Sequence, residues 1–121
     1  MSIALWVVSI LLAVAFLAAG GSKLTQPKEK LASRGMGYVE DFSQTQIRLI
    51  GTAEVLAAIA LIVPQAFDVW TWLTPVAAVG LALLMVGAAV THIRRKEPQV
   101  LGANTILFAL AAFVAIGRIA A

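Results

Sequence analysis

Long stretches with almost no charge divide this chain. Residues 1–22 carry no charged side chain, and 69–91 and 99–117 carry no ionisable one. Between Leu49 and Phe67 the only ionisable group is Glu54. About 20 apolar residues in a helix cross the hydrocarbon core of a bilayer. Backbone in lipid must satisfy its own hydrogen bonds, so such stretches become helices. A soluble alternative fails on composition. The 121 residues are 61% hydrophobic and 12% charged, against roughly 25% charge in soluble domains. A fold this small has too little interior to hide that apolar surface.

The expected fold is therefore all-α: an integral membrane antiparallel four-helix bundle forming a single domain over 1–121, with spans at about 3–23, 46–63, 75–93 and 99–117. Ala18-Ala19-Gly20 resembles a signal-peptide cleavage site, but no basic segment precedes the apolar run, which outlasts the usual length of about 7–15 residues. It is read as a retained helix. Pro64 is expected to end the second span, with a very short turn at 65–68. Thr74 is the expected N-cap of the third, with Pro75 at its first helical position. Trp70 and Trp72 are interface anchors.

The polar segment 22–45 is expected to lie on the membrane as a lid. It holds a short interfacial helix from Lys28 to Ser33, ended by Gly35-Met36-Gly37, with Tyr38 and Phe42 at headgroup level. Four spans put both termini and the 65–68 turn on one side of the membrane. Loops 22–45 and 94–98 fall on the other, with Lys23, Lys28, Lys30, Arg34, Arg48, Arg94, Arg95 and Lys96, eight of the 9 basic side chains. Only Arg118 opposes them. The positive-inside rule makes the basic side cytoplasmic and the termini external, in the plasma (cell inner) membrane. The net charge of +3 thus reports orientation. No aromatic-interleaved basic patch or phosphate loop points to nucleic acid.

Glu54 is the residue that asks for a role. An acidic side chain at the centre of a membrane helix costs about 2.5–3.5 kcal/mol. It lies about 9 Å deeper than Arg48 on its helix, and Asn104 lies about 9 Å beyond Pro98 on the fourth. Lys23 and His92 end the first and third spans at the same membrane face. All four spans thus contribute a polar group to one leaflet. Gly51 and Ala58 flank Glu54, Ala19 and Gly20 flank Lys23, and Ala88 and Ala89 flank His92. Small residues let membrane helices approach closely, which turns these faces inward. The expected ligand-binding set is Lys23, Gly51, Glu54, His92 and Asn104, with Glu54 and His92 as a proton relay.

A carboxylate, an imidazole and an ammonium in a dry pocket suit the head of an amphipathic ligand such as a quinone, its ring held by apolar walls. One histidine supplies only one axial ligand, which argues against haem. Metal-ligand spacing is absent. The lack of cysteine excludes thiol catalysis, disulfides and Cys-based Fe–S or zinc sites. The bland readings are a snorkelling Lys23, an anchoring Arg48, an interfacial His92, a helix–helix hydrogen bond from Asn104, and an ion pair of Glu54 with Lys23 or Arg48.

Three segments in order, Ala18-Ala19-Gly20-Gly21-Ser22-Lys23-Leu24-Thr25, Gly51-Thr52-Ala53-Glu54-Val55-Leu56 and Thr91-His92-Ile93-Arg94, resemble the DoxX-like family. The resemblance spans nearly the whole chain, and the family pattern falls on Gly20, Gly21, Lys23, Gly51, Glu54 and His92, with Arg118 near the end. It implies a four-helix membrane protein. The family takes its name from a subunit of a thiosulfate:quinone oxidoreductase, and some members associate with membrane redox and oxidative-stress complexes. Most have no assigned activity.

The leading expectation is a small redox-associated membrane protein with a cytoplasmic-leaflet pocket for a quinone-like or other lipophilic ligand. The alternatives are a proton-coupled small-molecule exporter and a non-catalytic assembly or anchoring subunit. The bilayer is the first partner. A redox partner protein or a homo-oligomer, touching through Gly80, Gly87, Ala103, Ala111 and Ala112, is the next.

Overall fold

In the computed structural model, residues 2–33, 42–96 and 101–120 are described. Four long helices, α1 (Ser2–Thr25), α3 (Gln44–Phe67), α4 (Leu73–Arg94) and α5 (Leu101–Ala120), form an antiparallel bundle, with a short helix α2 (Lys28–Ser33) between the first two. All four long helices are apolar and long enough to cross a membrane. In cyclic order the bundle runs α1, α3, α4, α5 and back to α1, and α2 lies against α1.

The buried positions explain the packing. In α3 they are Ile47, Gly51, Glu54, Ala58, Leu61 and Pro64, and in α4 Thr74, Ala78, Leu81 and Met85. Spacings alternating between three and four keep one stripe turned to the neighbours. Leu12, Phe16, Leu61, Leu81 and Val114 meet in the core. The opposite faces carry Val7, Leu11, Val14, Leu56, Leu83 and Ile106, all exposed. An apolar exterior around a core of ordinary packing is what a bilayer solvates, and van der Waals fit then holds the helices together.

Several local expectations change. Pro64 does not end the second span: it sits inside α3, which continues to Phe67 and closes at Asp68 in the left-handed conformation (φ 53). Proline has no N–H, so the carbonyl of Ala60 loses its helical partner. The hydroxyl of Thr74 donates to that carbonyl at 2.7 Å. A threonine of the next helix thus repairs the break, a known way of tolerating proline in membrane helices. Thr74 is not the N-cap, because it already lies inside the helix. Helix α4 begins at Leu73 after Trp72, which makes no side-chain cap, and Pro75 falls in the first turn, where its missing N–H goes unused. The turn lies at 68–72 rather than 65–68, with Trp70 and Trp72 exposed on it. Ala111 belongs to the core and offers no surface for a second copy.

Replacing Thr74 by Val leaves the Ala60 carbonyl unsatisfied in a dry interior, at a cost of about 1–3 kcal/mol. Thermal unfolding in detergent should show this loss for Thr74→Val and little loss for Thr74→Ser. Adding Pro64→Ala to Thr74→Val should recover stability by restoring the helical donor. No recovery would show that the loss comes from packing at residue 74 and not from the carbonyl.

At the other end, α2 coincides with the expected Lys28–Ser33 helix. The side-chain oxygen of Gln44 accepts from the Lys28 N–H at 2.9 Å, and Leu31 is buried. Helix α3 starts at a capping box: the Gln46 N–H donates to Ser43 Oγ at 3.1 Å, and the Ser43 N–H to Gln46 Oε1 at 2.9 Å. The expected glycine stop at 35–37, Tyr38 and the end of the 94–98 turn lie outside the described residues.

Candidate functional site

Lys23 stands in the last turn of α1, and Glu54 sits well inside α3. Lys23 Nζ donates to Glu54 Oε1 at 2.7 Å, and both residues are only 4% exposed. The pair is fixed by what lies three residues away on each helix. Gly20 precedes Lys23 and Gly51 precedes Glu54, so each glycine shares a face with its charged residue. A Cβ on Gly20 would lie 2.7 Å from the Gly51 oxygen, and one on Gly51 would lie 2.9 Å from the Gly20 oxygen. The two helices touch backbone to backbone here, which brings a buried cation and anion into contact. Arg48, the other expected partner, is exposed.

Asn104, buried on α5, donates from Nδ2 to the Met85 carbonyl of α4 at 2.9 Å. One N–H and the amide oxygen of its side chain meet no partner among the described residues. His92 is half-buried in the last turn of α4.

A cavity of about 670 Å³ lies between the α1–α3 pair and the α4–α5 pair. Lys23, Glu54, His92 and Asn104 all line it. Gly51 does not; it packs against Lys23 instead. The rest of the wall is apolar, including Phe16, Ile50, Met85 and Leu107, and Phe42 joins it from just before α3. The sequence put Phe42 at headgroup level. Its volume lies in the range of small-molecule sites, about 300–1,000 Å³, with the usual mostly apolar wall and few convergent polar groups. Phe16 and Met85 were not among the expected site residues. Each lies seven residues before a polar one, Lys23 and His92, on the same helical face. The same spacing that selected Ala19 and Ala88 reaches them one turn further on.

Fold and site together define a small four-helix integral membrane protein with a buried ion pair beside an apolar cavity at one end of the bundle. The chain belongs to the DoxX-like family, whose model matches residues 7–114. No curated protein and no solved structure matches it.

Proposed function

We propose that this protein binds a lipophilic ligand with a hydrogen-bonding head, a quinone being the leading type, in the cavity beside Lys23 and Glu54. The observation that carries this reading is that one mostly apolar cavity is lined by a polar group from every long helix. A buried ion pair adds little net stability over an apolar pair, so stability alone is a poor reason to have one. Lys23, Asn104 and His92 offer N–H donors to ring carbonyls, and Phe16, Phe42 and Met85 offer flat or soft walls. Glu54 and His92 would relay protons to or from the head. The role is redox-associated, with electrons coming from a partner protein in the same membrane. The excess of Lys and Arg at the α2 end supports a cytoplasmic position for the site and external termini.

The direct test is thermal unfolding of the protein in lipid nanodiscs with a decyl-substituted dimethoxybenzoquinone added. A ligand at about 100 times its Kd stabilises by about 2.7 kcal/mol, so a saturating rise in the midpoint is expected. His92→Phe and Asn104→Leu should lose most of that rise. No rise, and no lipophile extracted with the purified protein, would overturn the reading.

A second reading has an observation of its own. The Lys23–Glu54 contact and the Asn104–Met85 bond are also what an assembly or anchoring subunit would use for helix packing. Under it, site substitutions lower stability or partner capture and leave probe binding untouched. The exporter alternative rests on the same carboxylate and requires proton-driven uptake into vesicles, which a binding protein lacks.

A further inference from the structure

A second cavity of about 350 Å³ lies on the outside of the seam between α3 and α4. Ala53, Ala57 and Ala60 form one wall, and Leu73 and Ala77 the other. Gly80 and Leu84 line this seam and also the polar cavity. The two spaces therefore share a stretch of wall on one turn of α4. At that junction Gly80 leaves open space: a Cβ there would meet nothing within 4 Å.

We propose that the seam holds the hydrocarbon tail of the ligand, which enters sideways from the bilayer between α3 and α4. This rests on the ligand-binding reading above and extends it to a ligand with a single long tail. The first argument is chemical. Every side chain named along the seam is apolar, whereas the polar groups line the neighbouring cavity beyond Gly80 and Leu84. The second concerns the backbone. Pro64 frees the carbonyl of Ala60, a seam residue, and Thr74 Oγ1 takes it up at 2.7 Å. A wall with that acceptor capped suits hydrocarbon.

The third argument is size. From Leu73 to Leu84 the seam runs about 16 Å along α4. Its volume of about 350 Å³ is at the low end of small-molecule sites, about 300–1,000 Å³, and suits one hydrocarbon tail.

The test uses two probes on the protein in nanodiscs: the decyl-substituted dimethoxybenzoquinone and the same ring without its tail. Ala53→Phe and Ala77→Leu each fill the seam at a residue that does not line the polar cavity. Gly102 also faces open space and lines neither cavity, so Gly102→Leu is the control. Each seam variant should weaken the tailed probe tenfold or more and leave the tail-less ring unchanged, and the control should affect neither. If the wild type binds both probes and the seam variants weaken neither, or both equally, the seam is not the tail site. A changed oligomeric state with binding intact assigns the seam to a second copy and also overturns the proposal. If the wild type binds neither probe, the ligand-binding reading itself falls, and this one with it.

Discussion

Lys23→Met should be the most damaging conservative substitution at the site, destabilising the protein by about 3–5 kcal/mol. It leaves the Glu54 carboxylate buried with no ammonium beside it, and Lys23 is its one ion-pair partner among the described residues. The deficit comes from an uncompensated charge, not from lost attraction. Removing the charge should therefore restore stability. Lys23→Met with Glu54→Leu should return to within about 1 kcal/mol of the wild type, or exceed it, as apolar replacements of buried ion pairs do. Unfolding in detergent measures both variants. The double variant also separates the two functional readings, because a well-packed bundle without the pair should no longer bind the quinone probe. A double variant that folds and binds as the wild type does would show that the pair has no part in the site.

The elements of this fold were legible because the bilayer leaves so few choices. Uncharged runs of sufficient length become helices, and Lys28 to Ser33 reads as a separate short helix from the proline before it. The gathering of Lys23, Glu54, His92 and Asn104 at one end followed from topology alone, since antiparallel spans fix which ends meet. Pro64 was misread because its remedy lies in another element. Local rules stop a helix at proline, and only the tertiary bond from Thr74 to the Ala60 carbonyl removes the reason. Thr74 was misread with it, since α4 begins one residue earlier, at Leu73, which puts Thr74 inside the helix rather than at its cap. Between Lys23 and Arg48 as partners of Glu54, spacing held an unused answer. Residues 48 and 54 are six apart and face different directions on a helix. The volume of the cavity was beyond reach, because it depends on how far the two helix pairs stand apart.

Gly51→Ala should cost about 1–3 kcal/mol although it adds one methyl group to a helix. At an ordinary helical position the same change would gain about 0.5–1 kcal/mol, so the sign itself is diagnostic. The new Cβ would lie 2.8 Å from Lys23 Cβ and 2.9 Å from the Gly20 oxygen. A backbone oxygen cannot swing aside, so α1 and α3 must separate. Gly20→Ala meets the same obstacle from the other helix, at 2.7 Å from the Gly51 oxygen. Each glycine is three residues from a member of the ion pair, so separation at the glycines stretches the 2.7 Å contact between Lys23 and Glu54. Both variants should thus lose stability and quinone-probe binding together, and Gly20→Ala with Gly51→Ala should lose more than either. Gly102→Ala, with open space around its Cβ, should lose neither. Unfolding midpoints and probe titrations on the same samples decide the matter. If Gly51→Ala matches Gly102→Ala in both, the backbone contact does not set the geometry of the pair. If it loses stability and keeps full binding, the glycines serve the bundle alone, and the pair is held in place by something other than the approach of α1 to α3.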